Sequence, residues 1–488
     1  MDTKDVDQHS SIENCNSVKP PLDIRKTRTR FCMLALVSVF CFGMYYTHDN
    51  PAPLELQLID ELNIDNLRFN LLFSAFSFPN IFMPIIFGYL IDRFCVRKII
   101  YTVSTIALIG QGIFALAISL KNYPTAVIGR ALFGIGAESL ELAQTIILVN
   151  WFTGKELSMS IGLGNSISFL GIMMNQNLQP IIADHTSVSF AIWVGFILCT
   201  IFFFTSIFIV KLDKKKDDSI FGNEKPENAE NGNEKFTFRD IKKLTASYWL
   251  IIFNYLSTAS VVYCFSNITS GYFQIRFGYD PMKSGNIMSA VFGVCAFLSP
   301  FIGFIVDRIG RRLILVIVSC FFIMIAHILF IVTPDSSEPI YPIFYLILIG
   351  LAYSVHSTAL WSALPFTVDE KVLGTAYGSS YSLSNIGFFT VPLIIGTLQE
   401  NTKTMHGYFW VGIFFILLAF TGVCTGLALL IIDKKKGGSL NSKSPHIAQP
   451  NSMNFRSKRH FIHRFRSFGN LNNHHYISAK VMHHSNSL

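Results

Sequence analysis

The stretch GYLIDRFCVRK at residues 88–98 returns as GFIVDRIGRRL at residues 303–313, and each copy closes one apolar run and opens another. The aspartates of the two copies, Asp92 and Asp307, stand 215 positions apart (307 − 92). A motif that comes back together with its flanking hydrophobic pattern marks a chain built from two related halves.

Outward from the first copy, apolar stretches of roughly the 20 residues needed to cross a bilayer fall at about 31–47, 69–91, 99–120, 124–149, 157–183 and 189–211. Beyond a polar interval they resume at about 247–270, 284–306, 312–333, 340–364, 373–398 and 406–432. This pattern predicts an all-α integral membrane protein with twelve transmembrane helices in two pseudo-symmetric six-helix bundles. Composition agrees, since a chain of 488 residues that is 51% hydrophobic and 14% charged lacks the polar surface to cover a water-soluble globule. The repeat also reaches inside the helices. At an offset of 216, GLGNSISFLG from Gly162 aligns with GSSYSLSNIG from Gly378, which makes the fifth and eleventh helices symmetry mates and pairs Phe169 with Asn385.

Lys and Arg set the orientation. Arg25, Lys26, Arg28 and Arg30, then Arg93, Arg97 and Lys98, then Lys211 with Lys214 to Lys216, then Arg308, Arg311 and Arg312, then Lys434 to Lys436 all fall on one side. The positive-inside rule assigns that side to the cytosol, and an even number of crossings puts both termini there. The net charge of +8 is therefore read as a topology signal, and nucleic acid is not an expected partner. The expected organisation is a cytosolic tail at 1–30, a first bundle at 31–211, a cytosolic central loop at 212–245, a second bundle at 246–433 and a basic, His-rich cytosolic tail at 434–488. That last tail, with Arg456, Lys458, Arg459, His460 and His463, is expected to be disordered; contact with anionic lipid and metal binding are the alternatives. The nine Cys residues lie mainly in apolar runs without metal spacing, which argues against a disulfide framework. No cleavable signal peptide is read from the polar first 30 residues.

The doubled loop resembles the signature G-x-L-x-D-R-x-G-R-R-K of the major facilitator superfamily, and RALFGIG from Arg130 resembles that superfamily's fourth-helix motif. The second copy is complete through Arg312, whereas the first has Cys95 where Gly is usual. The resemblance implies gating roles for Asp92, Arg93, Asp307, Arg308 and Arg130, with each aspartate facing a helix start from the opposite half: Asp92 near Leu373, Asp307 near Lys155. NLLFSAFSFPN from Asn70, GIGAESLELAQ from Gly134, WFTGKEL from Trp151, ALW at 359–361 and LGTAYG from Leu373 together look like the domain-containing protein 1 family within that superfamily. That likeness implies a lysosomal exporter of dipeptides working with a single-span glycosylated accessory protein.

Glu138 falls near the middle of the fourth helix, and Glu141 one turn closer to the cytosolic side. A carboxylate at that depth costs at least a few kcal/mol unless it is paired or faces water. Glu138 is thus the first candidate for substrate binding, and the resemblance gives it the amino group of a peptide. A bond to Arg130 is not expected, because eight residues of helix separate the two by about 12 Å. The resemblance places an arginine suited to a peptide carboxylate in the fifth helix, but Phe169 stands there, and a phenyl ring offers no forked, charge-assisted grip. Phe169 and Asn385 are expected to flank one cavity from opposite halves. His356, Tyr263, Tyr255, Trp361, Tyr377 and Tyr381 complete the candidate lining, with Asn165, Asn175 and Asn177 as unranked polar positions. Packing or an interhelical hydrogen bond is the competing reading for each, and for His356 the stronger one.

The function expected is a secondary transporter that moves small organic solutes, dipeptides or short peptides foremost, by alternating access. A carrier for another amine-bearing or sugar-like molecule, or a non-transporting nutrient sensor, is the alternative. An enzyme is not expected: no nucleophile-and-base set or metal cluster accompanies the carboxylates, no phosphate loop appears, and no cofactor is implied. A lysosomal or vacuolar-type membrane follows from the resemblance, with the plasma membrane as the alternative. Neither tail carries an acidic dileucine pattern, and the one sequon, Asn267-Ile268-Thr269, falls in or beside the seventh helix.

Overall fold

In the computed structural model, the described residues are 24–93, 96–152, 155–221, 244–334, 340–368, 373–401, 407–438 and 440–441. Among them the elements are helical throughout. The first half contains α1 (Thr29–His48), α2 (Glu55–Leu62), α3 (Asn66–Ser77), α4 (Met83–Arg93), α5 (Val96–Ser119), α6 (Tyr123–Trp151), α7 (Lys155–His185) and α8 (Val188–Phe221). The second contains α9 (Ala246–Phe277), α10 (Pro281–Met288), α11 (Ala290–Ile309), α12 (Arg312–Val332), α13 (Ile340–Ala363), α14 (Leu373–Asn401) and α15 (Tyr408–Lys435).

These make twelve spans. The second span is α3 and α4, interrupted by the 3-10 turn Pro79–Ile81, where a proline cannot donate to the preceding turn. The eighth is α10 and α11, and α2 is an additional helix between the first two spans. Among the described residues, ten helical segments are long and apolar enough to cross a membrane. Of the other two long helices, α6 carries Glu138 and Glu141, and α7 carries a run of asparagines and glutamines.

Small residues let these helices approach closely. A Cβ added at Gly136 of α6 would lie 2.5 Å from the backbone nitrogen of Ala107 on α5, so the two backbones touch where any side chain would separate them. The ends that carry the repeated motif are tied differently in the two halves. The sequence places the end of the sixth span near residue 211, but α8 continues to Phe221. The extension is held by charge: Asp213 accepts from Lys216 Nζ at 2.8 Å, from Arg97 at 3.3 Å and from Trp151 Nε1 at 2.9 Å, which joins α5, α6 and α8.

In the second half, Asp433 has an equivalent task with a different partner. After α15 the chain turns back through Gly437 and Gly438, both at positive φ (98° and 74°), where glycine avoids the strain of a Cβ. Asp433 Oδ1 then accepts from Leu440 N at 3.0 Å, and Leu440 is buried against Leu313, Ala363 and Leu364. Asn441 caps α12: its Oδ1 accepts from Leu313 N at 3.0 Å, and its carbonyl accepts from Arg311 N at 3.0 Å. The start of the C-terminal tail is therefore a docked turn rather than loose chain, and it satisfies amides that a helix N-terminus leaves open. Residues 442–488, where the sequence suggests disorder, lie outside the described residues.

Replacing the capping residue, Asn441→Ala, should lower stability by about 1 kcal/mol, the usual cost of losing a side-chain N-cap. A thermal melt of the purified protein checks this, and an unchanged midpoint would show that the turn does not stabilise the second half.

Candidate functional site

Glu138 and Glu141 lie three residues apart on α6, so their side chains share one face, where Cβ atoms are about 5–6 Å apart. Each is only half-buried, and each carboxylate feels the charge of the other. Each takes a donor from a helix of the opposite half. Asn385 of α14 donates to Glu138. The Tyr381 hydroxyl, also on α14, donates to Glu141 Oε1 at 3.4 Å, and Tyr45 of α1 donates to the same carboxylate. Asn385 is itself buried; its Nδ2 also reaches Tyr381 O at 3.0 Å, while its Oδ1 has no hydrogen-bond partner. The pair of acids thus sits on the seam between the halves, and the eleventh span closes over it.

An aromatic wall continues from this point into the second half. Trp361 of α13 stacks on Tyr377 and Tyr381 at centroid distances of 5.7 and 5.6 Å, and meets Tyr255 of α9 edge-on at 4.9 Å. Tyr263 contacts Tyr353, Phe388 and Phe292 at 5.6–5.7 Å. Phe169 of α7 stacks on Phe292 at 5.9 Å. Phe169 and Asn385 do come from opposite halves, but they differ in setting: Asn385 is bonded to the acid, whereas Phe169 belongs to the aromatic wall. Tyr45, Tyr255, Tyr263, Trp361, Tyr377 and Tyr381 are all half-buried, as a lining is.

Other candidates lie elsewhere. His356 is fully buried, with Nε2 at 2.8 Å from Asn254 Oδ1, and Asn254 in turn donates to Gly422 O at 2.6 Å; the ring thus links α9, α13 and α15 by the interhelical bond the sequence reading favoured for it. Arg130 sits in the second turn of α6, at the end away from the motif copies. Its guanidinium donates to His48 O at 3.0 Å and is surrounded by Phe73, Phe76, Phe114 and Phe133 at 5.3–5.7 Å, with Asp49 as the nearby opposite charge. Asn175 donates to Asn50, Asn177 to its own helix at Met173 O, and Asn165 is exposed. Arg308 lies over the Phe304 ring at 4.2 Å. The side chains of Asp92, Arg93 and Asp307, and of the expected facing positions Leu373 and Lys155, lie outside the described residues.

The structure adds a group of contacts that the sequence reading does not single out. At the end opposite the motifs, α2 and the turn before it reach across to the second half. Glu55 Oε2 accepts from Gly271 N at 2.7 Å, and Ser270 Oγ donates to Pro53 O at 3.1 Å. Alongside, Asn66 N donates to Glu400 Oε1 at 2.8 Å, Asn70 to Gln399 Oε1 at 3.1 Å, and Ser74 to Phe389 O at 2.8 Å. Gln176 bridges Asp49 at 2.9 Å and Ser266 at 3.0 Å. Glu55 is fully buried, so this end is sealed by polar groups removed from water. The available sequence signals were the amphipathic ELQLIDEL of α2 and a bare Gly271 in the polar stretch SNITSG, which no periodicity argument could join.

Three comparisons bear on this arrangement. The profile of the Major Facilitator Superfamily matches residues 32–392. The lysosomal dipeptide transporter MFSD1 of Homo sapiens is 30% identical over 423 residues, covering 84% of this chain and 88% of that protein. Its Danio rerio namesake is 29% identical over 437 residues, covering 87% and 91%. Among solved structures, the nucleoside transporter NupG superposes with a TM-score of 0.61 at 14% identity, over 82% of this chain and 99% of that one, a likeness of fold.

A methyl group at position 271 would lie 2.5–2.9 Å from the Glu55 carboxyl, too close for both to stay. Gly271→Ala should therefore wedge this end open. Spin or fluorescent labels at positions 66 and 400 would report the distance across it; an unchanged distribution would show that the Glu55 contact is not what holds it shut.

Proposed function

The chain belongs to the Major Facilitator Superfamily, and from that premise we propose that it is a secondary transporter for small amine-bearing solutes, dipeptides and short peptides first among them, working by alternating access in a lysosomal or vacuolar-type membrane. The observation that carries this reading is the Glu138–Asn385 pair, a carboxylate of one half bonded by an amide of the other. The relatives named above support the dipeptide and the lysosomal membrane.

An incoming ammonium, with three donors and a full charge, replaces the amide of Asn385 on Glu138 by a stronger, charge-assisted bond. The ligand then acts on the seam, where a change in one contact shifts the balance between conformations closed at either end. The polar seal around Glu55 belongs to one of those conformations. In this reading the ends with the motif copies, and both termini, face the cytosol, and Asp92, Arg93, Asp307 and Arg308 latch that side; Arg130 steadies the far end of the first span. A single-span glycosylated protein is the proposed companion. No bound nucleotide or metal is invoked, and solute moves down its gradient.

One observation favours a second reading, a carrier of amines that lack a carboxylate. Phe169 stands where the resemblance expects an arginine, and its ring is stacked on Phe292.

In proteoliposomes, Glu138→Gln should remove about 1.5–3 kcal/mol of ammonium binding, or roughly 10–150-fold in affinity for dipeptides; unchanged flux would take Glu138 out of the site. Phe169→Arg should raise affinity for free dipeptides over their C-terminal amides, and equal gains for acid and amide would show that the position does not meet the carboxylate.

A further inference from the structure

Acids take part in the seal at the end opposite the motif copies, and they are not alike. Glu400 is exposed, and Asp49 lies near the Arg130 guanidinium. Glu55 is fully buried, and its two oxygens are treated differently: Oε2 accepts from Gly271 N at 2.7 Å, whereas the buried Oε1 has no hydrogen-bond partner. Cations on the surrounding elements are engaged elsewhere. Arg276 of α9 donates to the Tyr272 hydroxyl and to the carbonyls of Phe330 and Thr333, and Arg68 of α3 pairs with Asp65. Lys283 of α10 lies over the Tyr279 ring at 4.0 Å, and Lys121 binds Glu61 of α2 at 3.0 Å. Asp60, Asp280, and Asp184 and His185 at the end of α7, are exposed, and α8 carries no charge before Lys211. The buried Tyr408 hydroxyl of α15, also without a hydrogen-bond partner, is close enough to feel an ionised Glu55.

An ionised carboxylate spreads its charge over both oxygens, and one backbone amide does not repay its removal from water. A carboxylic acid fits the same place: Oε2 is the carbonyl that accepts from Gly271, and Oε1 carries the proton. We propose that Glu55 is a proton-controlled latch, so that this end closes over the protonated acid and is released when the group ionises. This rests on the alternating opening of the two ends in the proposed function, because the proton exchanges with water only while this end is open. In the open form the carboxyl titrates near its ordinary value of about 4.3. The closed form holds the proton to higher pH, so closure is most favoured below that value and weakens by up to about tenfold per pH unit above it. A proton taken up here leaves by the side it entered. The latch therefore sets how often the end opens and drives no uphill transport; in the proposed orientation, acid in the lumen turns the substrate site towards the cytosol.

The test uses the whole protein in lipid nanodiscs, with labels at the exposed positions Leu67 and Asn401 reporting the distance across this end. From about pH 8 to about pH 4, the ratio of short to long distances in wild type should rise by up to about tenfold per unit. Its infrared spectrum should carry a protonated-carboxyl band that Glu55→Gln lacks. Glu55→Gln, whose amide accepts from Gly271 N and has a donor for the Tyr408 hydroxyl, should stay closed with a flat pH profile. Glu55→Ala should favour the long distance at every pH, and a thermal melt of each variant identifies misfolding. A wild-type distribution that ignores pH, or a wild-type profile retained in Glu55→Gln, would overturn the latch. Ala-Ala flux in liposomes keeps the two readings apart. Flux with a flat distance profile removes only the role of Glu55, whereas a pH-dependent distance abolished in Glu55→Gln, without flux of any dipeptide, supports the latch and overturns the transport reading.

Discussion

A carboxylate within a bilayer keeps its charge only if the protein surrounds it with donors, and Glu138 and Glu141 draw theirs across the seam between the two halves. This need organises much of the molecule. It explains why α14 places Tyr381 and Asn385 one turn apart on the face that meets the acids. It also makes the seam a place where a small change in hydrogen bonding is felt by both bundles at once. The same logic holds at the sealed end, where Glu55 takes a backbone amide of α9 and Asn70 meets Gln399. In both places polar bonds, which lock in direction and exchange partners readily, join the halves.

The two halves share a design and differ where it matters. Phe169 and Asn385 occupy equivalent positions, yet one packs into an aromatic wall and the other bonds the acid. Asp213 and Asp433 both anchor the motif end of their bundle. Asp213 does so with Arg97, Lys216 and Trp151, and Asp433 with the turn that carries Leu440 and Asn441. Duplication supplied the frame, and the individual pairings have diverged within it.

The frame was legible in the sequence because its causes are local: run length sets a span, and a repeated loop reports doubling. Glu138 was legible for the same reason, since its cost depends only on depth. What escaped were contacts between residues far apart in the chain. Glu55 and Asp49 lie between the first two spans, and nothing nearby in the sequence shows that Gly271 and Gln176 will meet them. His356 has the chemistry of a proton carrier, and only its position beside Asn254 reveals that Nε2 is committed to holding helices together. The C-terminal turn was missed because its composition, two glycines followed by polar residues, is that of loose chain; the cap on α12 needs the three-dimensional neighbour. Arg130 was legible as part of the fourth-helix motif but not as a cation enclosed by four phenyl rings.

The route by which the chain leaves the second bundle has a mechanical consequence. The final span ends at Lys435, but the last anchored point among the described residues is Asn441, which is bonded to Arg311 and Leu313. Any tension applied downstream is therefore delivered to the first turn of the ninth span, next to the second copy of the repeated loop, and bypasses the twelfth span. The turn that carries Leu440 and Asn441 thus ties the end of the twelfth span to the start of the ninth.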